Sequence, residues 1–152
     1  MPLNYDPDIF DEEHEMFRRT VSNFFEKEAD PYAEQWDEDH AIPRSFWLKA
    51  GEAGILGIGV PEEYGGPGGE FLHRVVMTQE MGYSISGASV GPAFQRDQMC
   101  EQLMDFGSDY HKERWLPKMV KGECLLAFTV TEPDSGSDLS AIRTTAVLDG
   151  DE

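Results

Sequence analysis

Up to Val120 the apolar residues of this chain recur at helical spacing, and from Cys124 onward they do not. That change of period constrains the fold more than any other feature. A stripe at i, i+4, i+7 and i+8 buries one face of a helix, whereas a dense run of β-favouring residues bounded by turn formers reads as a strand. The chain is therefore mainly helical, with the beginning of a β region at its far end. At 152 residues and 39% hydrophobic content it has material for one domain with its own core, and too little for two complete ones.

Asp11 is placed to cap a helix whose apolar stripe is Phe17, Val21, Phe24 and Phe25, with Pro31 beyond its end. A second short helix follows in "IPRSFWLKAGEAG", opened by Pro43 and closed at Gly54. "ILGIGVPEEYGGPGG" has too much glycine and proline for a regular element, and its apolar residues predict an ordered loop packed over the core. Helical spacing resumes from about Glu70 to Ser84, and again from Gly87 to Phe106 with Gly107 ending it. Ser108 is placed to cap "DYHKERWLPKMV", where Pro117 predicts a break or a fresh first turn. Short connections between these elements predict an antiparallel array.

"CLLAFTVT" from Cys124 reads as a first strand and Arg143 to Leu148 as a second, followed by Asp149-Gly150, a dipeptide that favours a tight hairpin turn. A hairpin signal with no return strand predicts a chain that breaks off inside a β domain.

Thirty acidic against twelve basic residues give a net charge of -18. That field disfavours phosphate backbones and anionic lipid surfaces, so neither nucleic acid nor membrane is expected as a partner. The acids of "DPDIFDEEHE" and "EQWDEDH" read as a solvated helix face and loop. Cys100 and Cys124 lack metal or redox spacing and read as reduced core thiols, which points to a cytoplasmic location. His14, His40, His73 and His111 show no ligand rhythm, and no metal is expected.

The stretch "FTVTEPDSGSD", Phe128 to Asp138, runs from an apolar strand into hydroxyls, carboxylates and glycine. Its residues serve an ordinary turn equally well. As a ligand loop it would offer the Thr131 hydroxyl at a strand end, a close backbone approach at Gly136, and N–H groups around Ser135 to Ser137 for an anion.

"AFTVTEPDSGSDLSAIRTTA", Ala127 to Ala146, resembles the signature segment of the acyl-CoA dehydrogenases, flavoenzymes that introduce an α,β double bond into acyl-CoA thioesters. "VPEEYGG", Val60 to Gly66, and "GSDYHKERWLPKMVKGE" resemble two further segments of that family, in matching order and spacing. The resemblance implies a helical N-terminal domain over residues 1–122, the start of a β middle domain over 123–152, and a helical C-terminal domain absent here. It implies FAD as cofactor, held through Phe128, Val130, Thr131, Gly136 and Ser137, with Ser137 also meeting the pantetheine arm of the acyl-CoA substrate. Position 128 often holds Tyr in the family, so Phe128 removes any contact through a ring hydroxyl. Val90, Phe94 and Gln98 form a helical stripe that resembles the acyl-pocket lining of relatives, and ordinary core packing explains the same stripe. The family's base is a glutamate of the C-terminal domain. No catalytic residue is therefore expected in this chain, and Glu132 reads as a hydrogen-bonded loop acid.

The parent enzyme would work with an electron-transfer partner as a homo-oligomer, a tetramer or a dimer, while this chain alone would be inactive. The alternatives are a flavin-dependent acyl-CoA oxidase, a dehydrogenase of acyl-carrier-protein thioesters, or a non-enzymatic helical interaction module.

Overall fold

The computed structural model describes residues 9–87, 89–91, 99–125, 127 and 129–150, without the side chain of Met99. Six helices are described in it: α1 (Glu12–Glu28), α2 (Ala33–Asp39), α3 (Arg44–Glu52), α4 (Phe71–Tyr83), α5 (Met99–Phe106) and α6 (Asp109–Val120). The mainly helical class expected from the spacing is what the chain adopts.

α1 starts where the sequence says it should. Asp11 Oδ1 accepts the backbone N–H groups of Glu13 and His14, each at 3.0 Å, satisfying two donors of the first turn. Glu12, Glu13 and Glu15 complement the positive end of the helix dipole, and Val21, Phe24 and Phe25 are buried.

Three sets of contacts define the pairing of α1 with α4. His14 and His73, each at the third position of its helix, meet ring to ring with centroids 4.4 Å apart and planes tilted by 37°. Beyond the other ends, Asp30 Oδ1 accepts the Ser84 hydroxyl at 2.5 Å, the Ser86 hydroxyl at 2.9 Å and the Ser86 N–H at 3.1 Å. Burial alone would raise the Asp30 carboxyl; these donors outweigh it and hold the carboxyl below its usual range. Midway, Arg18 reaches Gln79 at 2.8 Å and Glu80 at 2.9 Å. Start meets start and end meets end, so α1 and α4 run parallel. The antiparallel order predicted from short connections does not describe this pair, because α2, α3 and the loop 53–70 lie between them and return the chain to the starting end.

The core is in two parts. The larger joins Val21, Phe24 and Phe25 of α1 to Trp36, Phe46, Trp47, Met77, Met81 and Val90. The smaller gathers Val60, Cys100, Leu116, Met119 and Val120, with Leu103, Met104 and Cys124 against it. The glycine-rich loop connects them, since Ile55, Leu56 and Ile58 enter the first and Val60 the second. At the far side Gly122 takes φ +70°, and a Cβ there would lie 2.1 Å from the Trp47 carbonyl oxygen. The turn that ends α6 is thereby pressed onto α3.

Three local expectations are corrected. The acidic stretch around Trp36 forms a helix, α2, whose acids are solvated but whose Trp36 is buried. Pro117 sits inside one continuous α6. Its missing N–H would have bonded the carbonyl of Glu113, an exposed residue, while Leu116, Met119 and Val120 anchor the same turn in the core. The two strands form no ladder among the described residues, where the sole β-bridge pairs Glu132 with Ser135. A strand needs an edge to pair with, and Val147 and Leu148 are more than four-fifths exposed. Neither Cys100 nor Cys124 is in a disulfide. Among the described residues no helix is long and apolar enough to cross a membrane.

Candidate functional site

Beyond Cys124 the chain leaves the core, and polar contacts take over its organisation. Glu132 is the centre of them. Its N–H donates to the Ser135 carbonyl at 2.9 Å, and its own carbonyl accepts the Ser135 N–H at 3.1 Å, closing a turn over Pro133 and Asp134. Its carboxylate crosses to a later part of the chain. Oε2 accepts the Arg143 N–H and Oε1 the Thr144 N–H, both at 2.8 Å, and Oε1 also accepts the Thr144 hydroxyl. The Thr144 hydroxyl, and then the two backbone N–H groups, hold this carboxyl below the usual glutamate range.

A second carboxylate repeats the device on a smaller scale. Asp138 Oδ1 accepts the Ser140 hydroxyl at 2.5 Å and its N–H at 3.0 Å, starting the short turn Leu139–Ala141. The hydroxyl of Ser140, and then its N–H, hold Asp138 below the usual carboxylate range. Ser135, only 4% exposed, donates its hydroxyl to the Asp138 carbonyl at 3.0 Å.

The residues expected to meet a ligand are the ones these contacts leave out. Thr131, Gly136 and Ser137 are exposed, Val130 is half-buried, and among the described residues no protein group bonds the hydroxyls of Thr131 or Ser137. Gly136 is not in the left-handed region, and a Cβ built on it meets nothing within 4 Å. Nothing in the described protein requires glycine there. Asp134 lies 3.7 Å from Arg143 across an exposed gap. Val90 is wholly buried in the first core, apart from this segment, while Phe94, Gln98 and Phe128 lie outside the described residues.

Sequence reasoning missed the Ser135 and Asp138 contacts. The signal was present, since Asp-x-Ser is a side-chain-to-backbone turn pattern. It also passed over the His14–His73 ring contact, which joins residues far apart in sequence. His14 Nδ1 lies 2.6 Å from Asp11 Oδ1, and its buried Nε2 has no partner among the described residues. Among the described residues no cluster of three or more His, Cys, Asp and Glu is arranged to hold a metal. An open concavity lined by Phe10, Asp11, Glu12, Glu13, Glu15, Met16 and Arg19 contains none of the expected site residues.

The family model "acyl-CoA dehydrogenase, N-terminal domain" matches residues 11–123, well over half of the chain. The chain belongs to the acyl-CoA dehydrogenase family. Among acyl-CoA dehydrogenases it is 38% identical over 146 residues to the long-chain specific mitochondrial enzyme of Rattus norvegicus, a match that covers 95% of this chain and 33% of the relative. The crystal structure of an acyl-CoA dehydrogenase from Geobacillus kaustophilus is similar at a TM-score of 0.81 and 42% identity, covering 93% of this chain and 37% of that one. A glutaryl-CoA dehydrogenase from Mycobacterium smegmatis, solved in complex with FADH2, is similar at a TM-score of 0.81 and 27% identity over 95% of this chain and 38% of its own. The chain spans about a third of the length of these relatives.

Proposed function

We propose that this chain is the N-terminal part of an FAD-dependent acyl-CoA dehydrogenase, with a helical domain over residues 1–122 and the start of a β domain over 123–152. One observation carries the reading: the loop 130–138 ties its inward residues to one another and leaves Thr131, Gly136 and Ser137 outward and unpartnered among the described residues. That division leaves these three residues available to a cofactor.

The residues present fit a flavin dinucleotide. The Val130 N–H and the Thr131 hydroxyl would donate to the pyrimidine end of the ring system, where negative charge develops on reduction. Gly136 and Ser137 would meet the pyrophosphate, and the open space beside Gly136 admits a group close to the backbone. Anion binding there asks for the nearby carboxylates to be turned away or satisfied. Glu132 is satisfied by Arg143 and Thr144, Asp138 by Ser140, and Asp134 faces Arg143 at 3.7 Å. When bound, FAD supplies the hydride acceptor for α,β-dehydrogenation of the acyl-CoA thioester.

Ser137 would also hold the pantetheine arm of the substrate, with Val90, Phe94 and Gln98 toward the acyl tail and Phe128 against the ring system. No residue of this chain is assigned as the base that removes the α proton. Glu132 is unsuited to that task, because three donors stabilise its ionised form and make it a poorer proton acceptor. An electron-transfer partner, a homo-oligomeric parent, a role in fatty acid metabolism and a cytoplasmic location complete the proposal.

The test is quenching of FAD fluorescence by the chain and by two variants. Thr131→Val and Ser137→Ala should each weaken binding about tenfold, as expected for one lost hydrogen bond of about 1.4 kcal/mol. Equal affinity of both variants and the wild type would refute the assignment.

A further inference from the structure

We propose that Glu132 is the positioning residue of the flavin loop: its side chain and main chain together hold Thr131 and the Gly136–Ser137 pair in fixed relation to each other. The inference rests on the functional reading above and deepens it.

Thr131 precedes Glu132 directly, and Gly136 follows Ser135, the residue that Glu132 bonds in both directions through its main chain. The two groups of outward residues are thus each one peptide away from the same reciprocal pair. That pair alone would be a two-bond turn on an exposed segment, free to fray. The Glu132 carboxylate prevents this by tying the turn to Arg143 and Thr144, the later part of the same segment. Ser135, buried at 4% exposure and bonded to the Asp138 carbonyl, closes the remaining side. The device is polar throughout, in a segment where Thr131, Gly136 and Ser137 lie at the surface.

The chemistry demands a carboxylate of glutamate length. Two adjacent backbone N–H groups need two acceptor oxygens, one each. Glutamine would present one oxygen and one NH2 group, setting a donor against a donor on one arm. Aspartate is a methylene shorter. Removing the Thr144 hydroxyl leaves both backbone bonds and should loosen the clamp less than loss of an acceptor oxygen does.

The test uses the 15N-labelled chain, with far-UV circular dichroism as the control that its helices persist. In Glu132→Gln the Arg143 and Thr144 amides should exchange about tenfold faster or more, and backbone order parameters at Thr131, Gly136 and Ser137 should fall from about 0.85 toward 0.6 or below. Glu132→Ala should do the same and Thr144→Val should do it to a smaller extent. Order at Thr131, Gly136 and Ser137 that survives in both Glu132 variants would overturn the proposal. An FAD titration of the same samples separates it from the reading it rests on. About tenfold weaker uptake by Glu132→Gln supports both, and lost order with unchanged affinity overturns the positioning role. A wild-type chain that takes up no FAD, yet loses loop order in Glu132→Gln, leaves the clamp standing and removes the flavin.

Discussion

The helical body and the segment 129–150 hold their shapes by opposite means. In the body, side chains such as Phe25, Ile55 and Leu116 are almost wholly buried, and the polar contacts between α1 and α4, with His14, His73 and Ser86 buried among them, set the register of a pairing that apolar burial drives. In the segment the apolar residues Leu139, Ile142, Val147 and Leu148 are exposed, and order comes from two carboxylates taking up backbone and hydroxyl donors. Burial makes a rigid platform with few free polar groups. A carboxylate-knotted loop has hydroxyls and N–H groups to spare, and Val130, Thr131, Gly136 and Ser137, expected to contact the cofactor, are found there.

The contrast is broken most severely from the side of the body. Phe25→Ala removes a ring that is 1% exposed and should cost about 3–5 kcal/mol in urea unfolding, the usual range for deleting a buried aromatic. Under native conditions it should leave the Thr144 amide as protected as before, since the bonds of the knot run among residues 132–144. Next in size is Gly122→Ala. A left-handed backbone and a Cβ placed 2.1 Å from the Trp47 carbonyl oxygen should together cost about 2–4 kcal/mol, read from the same transition. Arg18→Met comes third. It leaves Glu80, whose side chain is 10% exposed, without its charged donor, and should cost about 1–3 kcal/mol in melting or urea experiments.

The smallest global effect and the sharpest local one belong to acid. Glu132 is held below the usual glutamate range, so its contribution is complete above that range and disappears as pH falls through the depressed value. Following the Thr144 amide shift from about pH 6 to pH 2 should show a transition below the usual glutamate value of about 4.3. A transition at or above that value would mean that the clamp does not stabilise the ionised form.

How far this was legible in the sequence follows the same division. α1 was readable in full, because a capping Asp11 and a stripe ending in Phe24 and Phe25 are local signals that the core then confirms. The loop 53–70 was readable as an ordered cover, since its isoleucines and valine had to go somewhere dry. α2 was hidden by its charge, two buried residues, Ala33 and Trp36, being too few apolar positions to show a period. Pro117 misled because local sterics were weighed without the three anchored residues around it. The parallel course of α1 and α4 depends on contacts between residues far apart in the chain, which no short window contains. In the segment, composition pointed to strands while the partner edges that would make them strands are not among the described residues. The knot was half legible: Glu132 reads as a loop acid from its place in the motif, but Arg143 and Thr144 as its donors do not.

The most direct trial of the whole account is a titration of FAD into the 15N-labelled chain with every amide followed. Shifts confined to Val130, Thr131, Gly136, Ser137 and their immediate neighbours, with Arg143 and Thr144 keeping their protection and the core amides unmoved, are the predicted result. Saturation of FAD with no movement at Thr131, Gly136 or Ser137, or with shifts centred on the helical core, would contradict it.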